Sequence, residues 1–127
     1  MLHAAYNNKK YICRVDRSTT LPFLGIKNAV NAILQIMNPK NIESKLRAFN
    51  VQEVTLNPKE IVLELQKEFP KFIVDYNIDY KFQSIADTWP EKLNCDEAIK
   101  KWNFSNNRNE IFRNYLIPEI RKHYEKD

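Results

Sequence analysis

The sequence predicts a mixed α/β fold, with strands alternating with helices in a single small domain. Three observations carry that prediction. Short runs rich in β-formers, residues 11–15 and 71–76, stand between stretches whose apolar residues recur every three or four positions. One of those stretches opens on a complete helix-start signal, Asn57-Pro58-Lys59-Glu60. A chain of 127 residues with 43% hydrophobic and 28% charged content also has the size and balance of one globular domain able to bury a core.

In order along the chain, residues 2–8 read as the end of a helix. Tyr11-Ile12-Cys13-Arg14-Val15 reads as a strand because its positions alternate and favour β structure. A polar connection over residues 16–20 leads into Leu21-Pro22-Phe23-Leu24-Gly25-Ile26. Within residues 27–37, Val30, Ile33, Leu34 and Met37 share one helical face, and Asn38-Pro39 ends the helix because the residue before proline disfavours that conformation. Residues 47–56 supply one or two short strands. In the next helix Asn57 caps, Pro58 fits the first turn and Glu60 completes a capping box. Ile61, Leu65 and Phe69 form its buried stripe with Val62 beside it, and Pro70 stops it. Residues 71–76 are a strand and 79–86 a short helix. Asn94 or Asp96 caps a helix over 97–102. The last helix begins near residue 109, places Phe112, Leu116 and Ile120 four apart, and is bent by Pro118. No repeat, low-complexity tract or flexible linker interrupts the chain.

Composition excludes several function classes. The single glycine, Gly25, is too few for a dinucleotide-binding fingerprint or a phosphate-cradling P-loop, both of which need several. Two cysteines, Cys13 and Cys95, make no disulfide framework and point to a reducing compartment. The opening Met-Leu-His-Ala-Ala-Tyr lacks the long apolar core of a signal peptide, and no stretch has the roughly 20 apolar residues of a membrane helix. A net charge of +4, with acids scattered between Lys9-Lys10, Lys100-Lys101 and Arg121-Lys122, reads as a solvated mixed-charge surface in preference to a basic stripe for nucleic acid.

Candidate chemistry is sparse. His3, Cys13, Cys95 and His123 match no close-paired zinc spacing, so no metal site is expected, and Cys13 reads as a small core residue. Tyr6 and Lys10 share the Tyr-x-x-x-Lys spacing that lowers a phenol pKa on a helix, but no nucleotide-binding segment precedes them and the spacing is treated as chance. No Ser/His/acid arrangement is legible. Glu60, Glu64 and Glu68 form one helix face, read as solvated and paired with Lys59 and Lys67. The most distinctive stretch is Asp87-Thr88-Trp89-Pro90. A carboxylate before a helix-stopping proline can fix a bend, and a tryptophan offers a flat apolar face to a core or to a ligand. On residue chemistry alone the packed corner is the preferred reading.

Several segments, in order and at matching spacing, give the chain a family resemblance. Lys10-Tyr11-Ile12-Cys13, Leu21-Pro22, residues 49–76, Gln83-Ser84-Ile85-Ala86-Asp87-Thr88-Trp89-Pro90 and Ala98, Trp102 and Phe104 together resemble the C-terminal portion of the short-chain, epimerase-like L-threonine 3-dehydrogenases. Lys10, Tyr11 and Cys13 are similar to that family's Lys-Tyr-x-Cys segment, and Leu21-Pro22 to its Leu-Pro segment before a helix. Residues 49–76 are similar to its strand, capped helix and following strand. Gln83, Ile85, Ala86, Asp87, Trp89 and Pro90 match its Gln-x-Ile-Ala-Asp-Ser-Trp-Pro motif, the most specific of these likenesses. Ala98, Trp102 and Phe104 fit its next helix end.

The resemblance implies that residues 1–127 are the C-terminal, substrate-side lobe of an extended short-chain dehydrogenase of the NAD(P)-binding Rossmann superfamily, a fragment whose nucleotide-binding half and catalytic tyrosine and lysine are missing. The parent uses NAD to oxidise L-threonine to 2-amino-3-ketobutyrate in threonine catabolism and is homodimeric. It is mitochondrial in a eukaryote and otherwise cytoplasmic. For this chain alone no cofactor, catalytic residue, metal, nucleic-acid or membrane partner is expected. Asp87, Thr88 and Trp89 are its expected substrate-binding residues. The alternative is a truncated or degenerate paralogue acting as a non-catalytic binding or interaction module. Departures bear on that choice: Asn28 replaces the family's aspartate, Thr20, Phe82 and Ile99 replace arginines, and Asn103 replaces a glycine while still suiting a left-handed helix end. A lobe without its partner half should also expose an apolar patch near residues 21–26 and the strands, favouring self-association.

Overall fold

Two separate strand pairs, linked through helices, carry the α/β fold in the computed structural model, which describes residues 1–38, 48–102, 104 and 111–125. Strand β1 (Tyr11–Cys13) lies parallel to β4 (Val74–Tyr76), with Tyr11 opposite Val74 and Cys13 opposite Tyr76. A parallel pair needs a long crossover, and most of the chain between the two strands supplies it. Strand β2 (Leu21–Phe23) runs antiparallel to β3 (Val54–Leu56), with Leu21 opposite Leu56 and Phe23 opposite Val54.

The strands are shorter than the sequence suggests, and β2 is an addition to it. Leu-Pro-Phe reads poorly as a strand because proline donates no ladder bond. A two-stranded ribbon has only edges, where Pro22 is tolerated. The run 71–76 loses its first three residues to a turn in which the Phe72 N–H donates to the Phe69 carbonyl at 2.9 Å.

Helix ends follow local chemistry. Helix α1 (Leu2–Tyr6) ends in a Schellman turn: Lys9 N–H donates to Ala4 O at 2.8 Å, Asn8 N–H to Ala5 O at 3.1 Å, and Asn8 takes the left-handed conformation at φ 51°. Helix α2 spans Ile26–Ile36. In α3 (Pro58–Glu68) the capping box forms as the sequence predicts, with Glu60 N–H on Asn57 Oδ1 at 2.9 Å and Asn57 N–H on Glu60 Oε2 at 3.0 Å. Glu64 pairs with Lys67 at 2.6 Å, and Glu68 reaches Arg121 at 3.1 Å. Asp79 caps α4 (Tyr80–Ala86), and Asn94 accepts the Asp96 N–H at the start of α5 (Asp96–Trp102). The last helix changes winding at its proline: residues Ile111–Leu116 are π-helical and α6 follows over Ile117–Tyr124. Pro118 has no N–H to give and its ring crowds the carbonyl four residues back, which a widened turn relieves. Pro39, Asn103 and Asn109 lie outside the described residues.

The main core forms where α1, β3, α3 and the last helix converge. Ala5, Val54, Leu56, Leu65, Phe72, Phe112 and Ile117 are buried together, and Ile61, Phe69 and Leu116 pack against them. A second cluster joins Ala32 of α2 to Ala98 of α5 and Phe104, with Trp102 partly buried against it. Helix α2 thus buries its small residue, while Ile26, Val30, Ile33, Leu34 and Met37 remain 48–65% exposed. Ile12, Phe23 and Ile73 are exposed as well, so the expected apolar surface around the strands is present. Among the described residues no helix is long and apolar enough to cross a membrane.

Candidate functional site

An open groove of about 680 Å³ runs between β1, β2 and α4. Tyr11, Leu21, Phe23, Ile61 and Phe82 give it an apolar lining, to which Arg14 and Thr19 add polar groups. Few polar groups on an apolar wall is the usual make-up of a small-molecule site. The β1–β4 ladder positions Arg14. Cys13 O accepts Asn77 N–H at 2.9 Å, and Arg14 O accepts the N–H of Asp79 at 2.8 Å. Asp79 is the cap of α4, so Phe82 follows within one turn, and the Arg14 guanidinium lies 5.4 Å from the Phe82 ring centroid.

Gln83 ties this wall to the Asp-Thr-Trp-Pro corner. Its Oε1 accepts the Asp16 N–H at 2.7 Å, which orients the amide. Its Nε2 then donates to Thr19 Oγ1 at 2.9 Å and to Asp87 Oδ1 at 2.6 Å. Asp87 closes the C-terminus of α4, and its carboxylate accepts this side-chain donor. The bend itself is closed by Thr88 N–H to Ile85 O and Trp89 N–H to Ala86 O, both at 3.1 Å, while Thr88 Oγ1 donates to Ile85 O at 2.7 Å. Tightened last-turn bonds of this kind satisfy helix-end carbonyls before a proline. Asp87, Thr88 and Trp89 are all exposed, Trp89 by 58%. Trp89 does not line the groove; Phe82, seven residues earlier, does.

A second glutamine anchors the far side of the corner. Gln52, 6% exposed, accepts the Leu93 N–H at 2.7 Å and donates to Thr55 Oγ1, holding the loop after Pro90 against β3. Sequence reasoning assigned no role to Gln52, Gln83 or Arg14. Only Gln83 carried a local signal, lying one helical turn before Asp87.

Other sequence candidates disperse. Tyr6 stacks on Tyr124 at 4.7 Å while Lys10 pairs with Asp75 at 2.6 Å, so they do not form a proton-abstracting couple. The Tyr76 phenol is pushed up, chiefly by desolvation, and therefore holds its proton. His3 and His123 meet edge to face at 5.6 Å, with Cys13 and Cys95 buried elsewhere. The described residues contain no group of three or more His, Cys, Asp or Glu that could hold a metal ion.

Burial, opposed in smaller measure by the Gln52 backbone, pushes the Cys95 thiol up. A raised folded-state value means stability present at neutral pH and lost as pH rises through the thiol range, because the unfolded chain gives up its proton first. Melting followed between about pH 8 and 10 should therefore fall more steeply for the native chain than for Cys95→Ala. Parallel curves would show that burial of this thiol leaves no pH dependence.

No protein-family profile matches the chain. Among curated proteins it is 30% identical over 102 residues to the mitochondrial L-threonine 3-dehydrogenase of Bos taurus, covering 80% of this chain and 27% of that protein. The Sus scrofa enzyme is 32% identical over 98 residues, covering 77% of this chain and 26% of that one. The chain thus spans about a quarter of the length of these relatives. The crystal structure of L-threonine dehydrogenase from Phytophthora infestans superposes with a TM-score of 0.85 at 28% identity, over 99% of this chain and 40% of that one. The chain is a homologue of the L-threonine 3-dehydrogenases and has the fold of their C-terminal portion.

Proposed function

We propose that the chain is the substrate-side portion of an NAD-dependent L-threonine 3-dehydrogenase-like enzyme, covering the reacting alcohol without itself transferring hydride. The observation that supports this most is the sequence match to two threonine dehydrogenases over roughly four-fifths of the chain. The groove is consistent with it, being open and apolar with a few polar groups on its wall. The residues present do not fit the nicotinamide cofactor. The one glycine starts α2, but its N–H already donates to the Glu53 carboxylate at 3.0 Å, so a phosphate would meet a negative charge there. The chain's part is to bind, orient and exclude water. In this reading Asp87 holds Gln83 and hence the Thr19 wall. Thr88 offers the free lone pairs of a hydroxyl whose proton is engaged, and Trp89, outside the groove lining, presents its exposed face from the corner beside it. A non-catalytic interaction module is the second reading, favoured by the exposed apolar face of α2.

Grafting this chain in place of the matching portion of the Phytophthora infestans enzyme tests both. Activity with L-threonine and NAD supports the first reading, and a folded but inactive chimera supports the second. In an active chimera, Trp89→Ala should lower kcat/KM by at least about tenfold with little change in Tm, since the side chain is mostly exposed. Proportionate loss of Tm and activity would return Trp89 to a packing role.

A further inference from the structure

We propose that the Arg14 guanidinium, just past the end of β1, is the carboxylate-binding subsite of the groove. The proposal rests on the reading of this groove as the substrate side. Arg14 brings a cation to the groove wall, since its guanidinium approaches the Phe82 ring to 5.4 Å and both residues line the groove. The two positions are locked together, because the Arg14 carbonyl accepts the N–H of the residue that caps α4.

Stacking on an aromatic ring fixes the guanidinium plane but consumes none of its N–H donors, which remain in the fork that matches a carboxylate. The acids nearby are engaged elsewhere. Asp16 takes the Ser18 N–H and hydroxyl, Asp79 caps Lys81, and Asp75 pairs with Lys10. Among the described residues no carboxylate is ion-paired with Arg14. A free, planar cation at the edge of an apolar groove suits a small ligand with one carboxylate end, as an α-amino acid has.

The test is a titration of the 127-residue chain with L-threonine, L-threonine amide and acetate, read from the Arg14 side-chain N–H and the groove backbone amides by NMR. L-Threonine and acetate should shift the Arg14 signal and the amide should not. Arg14→Ala, an exposed change that should keep the spectrum dispersed, should weaken L-threonine binding at least about tenfold. Arg14→Lys should recover part of that, and Arg14→Ala combined with Phe82→Arg most of it. Equal binding of acid and amide, no effect of Arg14→Ala, or no carboxylate response at all would overturn the proposal. If acetate binds as well as L-threonine, the subsite stands and the threonine reading loses support. If L-threonine binds Arg14→Ala undiminished, the subsite falls and the threonine reading survives.

Discussion

Phe72→Ala leaves a chain close to its unfolding threshold, losing about 3–5 kcal/mol. Phe72 is 1% exposed and sits between α3 and β4, packed with Leu65, Val54, Leu56 and Phe112. Removing the ring takes its apolar surface out of the core and leaves a cavity, because elements on several sides are held independently by the α3 capping box and the strand ladders. A domain of this size has roughly 5–15 kcal/mol in total, so the loss is a large share of it and should lower Tm by roughly 10–20 °C. Leu65→Ala, at 1% exposure in the same cluster, should cost about 2–5 kcal/mol. The control is Leu63→Ala on the same helix. Leu63 is 52% exposed, so its loss should stay within about 1 kcal/mol. Denaturant melts of the three variants decide the matter. Similar losses for Leu63 and Phe72 would mean that the cluster is not the cooperative core.

The same contrast explains what the sequence could and could not reveal. Helix α3 was legible throughout because its signals are local: a cap, a proline, a glutamate three residues on and a stripe four apart. The period of α2 was equally legible, but its destination was not. Val30, Ile33, Leu34 and Met37 share a face as the spacing predicts, yet that face meets solvent and Ala32 meets the core. Periodicity states which residues lie together and is silent on whether a neighbour covers them. Strand β2 was hidden by Pro22, whose missing N–H argues against a ladder until the strand is known to be an edge. At the candidate site, Asp87 and Trp89 stood out by their types, whereas Gln83 and Gln52 act through partners 64 and 41 residues away. The spacing of Gln83 to Asp87 hints at one of those bonds, but nothing local marks the distant ones or any role for Gln52. The Arg14–Phe82 contact likewise joins two elements distant in sequence, brought together by the β1–β4 ladder and the Asp79 N–H bond to the Arg14 carbonyl.

Gln83→Glu should destabilise the corner at neutral pH and recover in acid. The native amide is oriented by its strongest constraint: a backbone N–H, that of Asp16, faces Oε1, which leaves Nε2 as the donor toward Asp87. Glutamate keeps the acceptor that Asp16 and Thr19 need, so the loop over residues 16–19 stays attached. It loses the donor and sets one carboxylate against another at a distance spanned in the native chain by a 2.6 Å bond. Like charges so placed cannot both ionise without cost, so one pKa rises and stability returns as the pH falls through it. Asp87→Asn in the same chain removes the repulsion and restores a donor, and should rescue Gln83→Glu at neutral pH. Gln83→Leu, of similar size, deletes all the partners at once and leaves the partly buried Asp16 N–H unpaired, costing about 2 kcal/mol at every pH. The pH dependence therefore separates the electrostatic part of the effect from the packing part. Melting curves for the native chain and the three variants between about pH 4 and 8 read it directly. A Gln83→Glu chain as stable as the native one at neutral pH, or unimproved by Asp87→Asn, would mean that Asp87 does not hold Gln83. The link from the Asp-Thr-Trp-Pro corner to the groove wall would then be lost.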